Sequence, residues 1–546
     1  MVELILMFKD ATGKIILEID QRLANITRQD KELKVTEAEF FNTLKAYKLN
    51  ETLELLAIIS KRIFSNEYPT EWHRMGRGGI EHPSGVFLTQ FSVEYLSSAM
   101  ILSGSNDWKN ESLKNKDNIL GLFNVYHNGL VQEISAKSGI TAFLIPMYFQ
   151  QFVSQAEPKD VFTRQWYLFY KISTRLKGET FDNLNEIFSK EVGISMLEYT
   201  KLCFVIFATL VTFPRFNIGK LTGANIKELN DVLSEDKMSI FLNLVSTNYE
   251  SFRRLDSEIN KDLDPKYTKT RFNPLWLKPI IRMGENDFLA PSMTAYMTST
   301  FKGLFWWFDT YFRKYSRVKG DKFRSYFGSL FEDYVGDVIK DIYTSAHISP
   351  QISYGSKKNK SLFFDWIVDS EKKSFVFEVK GYQFPLEVLQ KGDPEKIRKE
   401  VVNKIIKTIV QMYRRMKDVE NFEELKHLRG KNLIPIAVFY DIPFISTPMY
   451  QENILPALAN LEKTYPGIKD FKYYMMSIQE LEDYYYVSDK VDIDMILKEA
   501  NTNNQTGFYD ELGKANGNRM TIRKNILDRA FNEYCSEVIG VKDESL

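Results

Sequence analysis

The chain has 546 residues, and its 72 basic and 72 acidic side chains balance to a formal net charge of zero. Residues are 44% hydrophobic and 26% charged, which excludes a disordered or membrane-saturated chain and leaves room for roughly two to four globular domains. Zero net charge also argues against a protein that coats nucleic acid indiscriminately, although a local basic cleft would be hidden in such a sum. Cys203 and Cys535 are the only cysteines and stand far apart, so a reducing compartment is expected, with no disulfide framework and no zinc cluster. No secretory pattern opens the chain, and the longest apolar run, Leu202–Phe213, is too short to cross a bilayer. The expectation is a cytoplasmic protein with no membrane contact.

In chain order, a short β start at Leu4–Phe8 and Lys14–Ile19 precedes a mostly helical region running to about residue 265. Helical periodicity is expected in Ala38–Phe64, Gly129–Gln151 and Met238–Ile259. Gly76-Arg77-Gly78-Gly79, flanked by His73 and His82, lacks the Lys-Ser/Thr of a phosphate loop and a third ligand for a metal, so it reads as a plain loop. From Phe272 the texture changes. Leu277–Met283 and Asp287–Ala290 predict a short hairpin, Phe301–Tyr315 an aromatic helix, and Asp321–Tyr343 an amphipathic helix with Phe327, Leu330, Phe331, Tyr334, Val338 and Ile342 on its stripe. Glu332 lies beside that stripe, about 100° from Phe331.

Strands are then expected at His347–Tyr354, Leu362–Asp369, Ser374–Gly381 and Leu433–Tyr440, with a long helix over Asp393–Lys417 before the last. The continuous apolar run Ile434–Phe439 implies a strand covered on both faces, with Pro435 as a reservation. A helix near Glu452–Lys463, a strand near Phe471–Ser477, a helix near Ile478–Tyr485, a polar linker at Asn501–Gly507 and a closing helix over Arg519–Val538 complete the reading.

The chemistry concentrates in the second and third of these strands. Strand periodicity puts Glu378 and Lys380 on one face, and an even loop at Ser370-Glu371-Lys372-Lys373 would pair Asp369 with Ser374 and Asp365 with Glu378. Two carboxylates that close repel each other unless a cation sits between them, and hard oxygen ligands suit Mg²⁺ or Mn²⁺. Glu-x-Lys triplets by themselves carry nothing, since Glu157-Pro-Lys159, Glu235-Asp-Lys237 and Glu424-Leu-Lys426 occur in the same chain without a strand frame. The following helix is rich in basic residues, with Lys404, Lys407, Gln411, Arg414 and Arg415 as candidate nucleic-acid contacts, set against a simple solvated face.

Asp365 followed by Glu378-Val379-Lys380 and Gly381, with these flanking elements, resembles the PD-(D/E)xK nuclease superfamily over about a third of the chain. The family's leading proline is replaced by Phe364. The resemblance implies an α/β C-terminal nuclease core, αβββαβ and restriction-endonuclease-like with a mixed central sheet, joined to a mostly α-helical N-terminal region. It implies Asp365, Glu378 and Lys380 as catalytic residues, and Asp365, Glu378, the Val379 carbonyl and Glu332 as the Mg²⁺ shell, with Mn²⁺ as the alternative ion. The expected boundaries are 1–265 for recognition, regulation or oligomerisation, 266–320 as a connecting hairpin and aromatic helix, 321–500 as the nuclease domain, and 501–546 as linker and closing helix. The expected activity is that of a DNA endonuclease in bacterial restriction or phage defence, with a protein partner or a second copy engaged through the N-terminal region. An RNA-cutting enzyme with the same triad, an inactive nuclease-fold module serving in binding or assembly, and ordinary core strands are the competing readings.

Overall fold

The computed structural model describes residues 37–65, 73–74, 79–81, 87–111, 158–176, 184–223, 229–262, 272–344, 346–383, 394–440, 453–502 and 523–539, with single residues 67 and 123. The expected strands at Leu4–Phe8 and Lys14–Ile19, the helix at Gly129–Gln151 and most of the polar linker lie outside these residues. The protein is mixed α/β, with many helices and a mixed sheet in its second half.

The helices used below are α1 (Leu49–Ser65), α2 (Gln90–Ser103), α3 (Pro158–Trp166), α4 (Met196–Thr212), α5 (Met293–Phe301), α6 (Gly303–Tyr315), α7 (Arg317–Ile342), α8 (Pro394–Asp418), α9 (Ile478–Tyr484) and α10 (Ile526–Glu533). The apolar run at 202–213 falls within α4, a core helix opened by a capping box between Ser195 and Glu198. Two of the long helices expected from periodicity are broken. Glu37–Lys45 and α1 divide the first, and Glu235–Val245 and Tyr249–Ile259 divide the second around the strand Ser246–Thr247. At the latter break Asn248 caps the new helix by accepting from the Ser251 N–H, a local signal of the kind that periodicity alone does not weigh. His73–Arg74 pairs antiparallel with Gly79–Glu81, so strands frame the glycine-rich segment.

The predicted hairpin forms from β1 (Ile280–Arg282) and β2 (Asp287–Leu289), but it is no mere connector. Arg215–Asn217 adds antiparallel to β2 and Ser246–Thr247 adds parallel to β1, giving a four-stranded sheet that knits residues 266–320 to the helical half.

A five-stranded mixed sheet carries the second half. Its strands are β3 (His347–Pro350), β6 (Trp366–Asp369), β7 (Lys373–Lys380), β8 (Asn432–Phe439) and β9 (Tyr474–Ser477), in the spatial order β9-β8-β7-β6-β3. β3, β6 and β7 pair antiparallel, whereas β7, β8 and β9 run parallel. Between β3 and β6 the chain departs from expectation. His347–Tyr354 is not one strand: it stops at Pro350 and restarts as β4 (Ser353–Ser356), which forms a separate hairpin with β5 (Asn359–Leu362). Leu362 accordingly belongs to β5, and β6 begins only at Trp366. Pro350 ends the first strand, and Gly355 inside β4 takes φ +93°, a backbone conformation open to glycine. Pro435 sits inside β8, and the ladder to β9 begins one residue later, at Ile436 opposite Tyr474.

Alternation along the strands divides the sheet's apolar residues between two layers. Trp366, Val368, Phe375, Phe377, Val379, Ile436 and Val438 join the core beneath α7, while Ile367, Val376, Ala437 and Phe439 join a second core with Met412 of α8. Helix α7 docks closely because two glycines permit it. A Cβ on Gly336 would lie 2.0 Å from Cζ2 of Trp366, and one on Gly381 would lie 3.0 Å from Cα of Gly328. The core beneath α7 also takes in residues of α3, α4, α5, α6 and α10, so apolar packing crosses the expected boundaries at 265 and 501 without interruption. A smaller core gathers α1, α2, Phe252, Phe272, Trp276 and Leu289.

Candidate active site

β7 ends where α7 and α8 face each other across the sheet, and its last residues carry the candidate chemistry. The register is the expected one at the turn, with Asp369 opposite Ser374, and it continues to Trp366 opposite Phe377. One residue earlier it breaks. The Asp365 N–H donates to the Phe377 carbonyl at 3.0 Å, so Asp365 lies just outside the ladder instead of directly across from Glu378. Its side chain nevertheless folds onto the end of β7: Oδ2 accepts the Val379 N–H at 2.6 Å, and Oδ1 accepts from Gln351 Nε2 at 3.0 Å. Gln351 sits in the gap between β3 and β4, and nothing in the sequence pattern pointed to it.

Glu378 shares the Val376 face and is 1% exposed, while Asp365 is 8% exposed. One Glu378 oxygen pairs with Lys380 Nζ and the other with the Arg415 guanidinium. Lys380 also donates to Gln411 Oε1 at 2.9 Å. Arg415 lies over the Phe364 ring, 5.8 Å from its centroid. Two of the candidate nucleic-acid contacts on α8, Gln411 and Arg415, thus face into the site. The exposed Lys407 and Arg414 do not, and Arg414 packs on Tyr465. Lys404 lies between these extremes, half-buried over the Tyr382 ring at 4.5 Å.

Electrostatics set this site apart. Burial, then the Glu378 carboxylate, then that of Glu332 push Asp365 up to about 7. Burial, Glu378 and Asp333 likewise raise Glu332. Glu332 therefore comes within electrostatic reach from α7, whose backbone carbonyl at that residue accepts from Trp366 Nε1 at 2.9 Å. Among the described residues no three His, Cys, Asp or Glu side chains are arranged to hold one ion. Asp365 and Glu378 are a two-carboxylate set, and the cations of Lys380 and Arg415 balance Glu378. The hard oxygen donors and the crowding of negative charge suit a divalent cation, which would compete with one of those two side chains for Glu378.

A cavity of about 300 Å³ opens beside the site, lined by α6, α7, the end of β7, α8 and β8. Arg324 in its wall binds Asp309 through two nitrogens, at 2.8 and 2.7 Å, and donates to the Gln383 carbonyl at 3.1 Å. Sequence reading missed Arg324 and Gln383, which lie in a helix and beyond a strand without a distinguishing local pattern. No helix among the described residues is long and apolar enough by itself to cross a membrane, and no disulfide joins Cys203 and Cys535. Comparison with protein-family models, with curated proteins and with solved structures gave no match.

Proposed function

We propose that this chain is a metal-dependent nuclease of the PD-(D/E)xK kind that hydrolyses phosphodiester bonds of DNA, in a restriction or phage-defence setting. The observation that carries this reading is the meeting of Asp365, Glu378 and Lys380 at the end of β7, where burial, and after it the neighbouring carboxylates, push Asp365 up to about 7. Asp365, Glu378, the Val379 carbonyl and Glu332 are the groups that would hold Mg²⁺ or Mn²⁺. When bound, such an ion supplies positive charge against the phosphate oxygens.

The remaining work falls to the chain. Gln351 and the Val379 N–H fix the orientation of Asp365. Gln411 holds Lys380, whose ammonium would orient the attacking water and stabilise charge that grows on the phosphoryl group. None of these groups reads a sugar, so RNA is cut by the same arrangement where the surrounding surface admits it.

A second reading has its own observation. Both Glu378 oxygens are already paired with cations of the chain, which suits an inactive nuclease-fold module whose charges satisfy one another. One experiment separates the two. Purified protein is incubated with plasmid, linear duplex, single-stranded DNA and RNA in Mg²⁺, Mn²⁺ or EDTA, beside folded Asp365→Ala and Lys380→Ala variants. Metal-dependent cutting that falls at least about a thousandfold in each variant is expected for a nuclease. Cutting that survives both changes places the chemistry elsewhere, and no cutting of any substrate favours the inactive module.

A further inference from the structure

The cavity beside the site brings together cations, aromatic residues and a buried carboxamide, and of these the hydrolytic reading uses Lys380 alone. Lys380, Lys404 and Arg324 line it; Arg324 shares Asp309 with Arg313, and Lys380 shares Glu378 with Arg415. Lys404 is lowered below the ordinary lysine value by burial and then by Lys407, with Arg324 and Lys380 contributing and Glu400 opposing them, so positive charge is crowded there. Phe305, Tyr382 and Phe439 are part of the same wall, with Arg324 over the Phe305 ring and Lys404 over the Tyr382 ring. Gln383 completes it. This residue is 2% exposed, and among the described residues neither its amide nitrogen nor its amide oxygen has a hydrogen-bond partner.

An unpaired buried carboxamide is destabilising, and a group that offers both a donor and an acceptor relieves both of its atoms at once. A nucleobase edge does so, and a glutamine amide matches one in a two-bond pairing. The cations suit the phosphate to which that base is joined, and the aromatic residues give the base an apolar wall. At about 300 Å³ the space is at the small end of ligand-sized cavities, right for one unit and not for a duplex.

We propose that this cavity is a base-reading subsite that takes one unpaired nucleotide of the substrate strand, with its phosphate between Lys380 and Lys404 and its base against Gln383. The proposal rests on the nuclease reading for the identity of the strand, but its test does not need cutting. Anisotropy of short single-stranded homopolymers with phosphorothioate links, in EDTA, measures binding alone.

Wild type is expected to prefer one base by about tenfold or more. Gln383→Leu is expected to bring all homopolymers within about twofold of each other while the protein stays folded, with a higher melting temperature because the unpaired amide is gone. Lys404→Met is expected to weaken every homopolymer alike, by about tenfold, and to reduce the salt slope by about one. Equal binding of all bases by wild type overturns the proposal, as does a preference that survives Gln383→Leu. Inorganic phosphate competing as well as the matching mononucleotide reduces the cavity to an anion site, and tight binding of the free mononucleotide with exclusion of the homopolymer makes it a ligand pocket apart from the strand. Either result overturns it. A wild type that cuts DNA without base preference sinks the subsite alone. A preference in a protein that cuts nothing sinks the nuclease reading alone.

Discussion

Glu482 in the helical layer and Glu378 in the sheet are equally hidden, at 2% and 1% exposure, yet the protein treats them differently. Glu482 accepts from Arg164 through two nitrogens, Nε at 2.7 Å, and from the Tyr334 hydroxyl at 2.6 Å. Its cation is itself buried, so this cluster joins α3, α7 and α9 and is closed to solvent. Glu378 is paired too, but Lys380 beside it is a quarter exposed and lines the cavity. Neither Arg164 nor Glu482 is part of that wall. Asp160 near the first cluster is pushed up to about 6 by burial and then by Glu482, so a raised carboxyl by itself marks no site. What distinguishes Asp365 and Glu378 is a partner, Lys380, that opens on the cavity, together with hydrogen bonds that bring Asp365 and Lys380 to the same strand end.

The contrast can be broken most severely at the closed cluster. Glu482→Ala leaves buried Arg164 without its hydrogen-bonded counter-charge and is expected to cost about 3–5 kcal/mol in chemical denaturation. A loss under 1 kcal/mol would mean that Arg164 finds solvent, and that the two clusters differ less than their geometry implies. Next comes Gly336→Ala. Its methyl would meet the Trp366 ring, so a loss of about 1–3 kcal/mol is expected, accompanied by reduced cutting because Trp366 adjoins Asp365. Cutting that is unaffected would show that the α7–β6 contact does not position the site.

Asp365→Asn should act with the opposite sign. The folded protein holds a proton that the unfolded chain releases at an ordinary aspartate value of 3.8, so metal-free stability falls as pH rises from about 4 to about 7 and is then level. Removing the carboxylate is expected to flatten that fall and to stabilise the protein by about 1 kcal/mol at pH 8 in EDTA, while abolishing cutting. A melting curve in which the variant is less stable than wild type at pH 8 would remove the electrostatic case for the site. Smallest is Arg414→Ala on the outer face of α8. Stability is expected to change by less than about 0.5 kcal/mol, and nucleic-acid binding to lose about one unit of salt slope. An unchanged slope would take Arg414 out of the interface.

The element sequence of the second half was legible because each element carries its own period. The stripe of α7, the alternating face of β7 and the apolar run of β8 are properties of a few consecutive side chains, and the observed spans, Arg317–Ile342, Lys373–Lys380 and Asn432–Phe439, stay close to the expected ones. The even turn at 370–373 likewise fixed Asp369 against Ser374, since hairpin register follows from loop length. The break at Pro350 and the start of β6 at Trp366 were harder to read. Both depend on a hairpin inserted between two strands that pair across it.

Local pattern thus determined that Asp365, Glu378 and Lys380 would come to neighbouring strand ends, and that a basic helix would follow. Only tertiary structure decided that Arg415 and Gln411 turn inward onto Glu378 and Lys380, that Gln351 holds Asp365, and that Arg324 and Gln383 wall a cavity next to them. The physical reason is separation along the chain. A period of two or of 3.6 is written in adjacent residues, whereas the partner of a buried charge is chosen by packing among elements tens of residues apart.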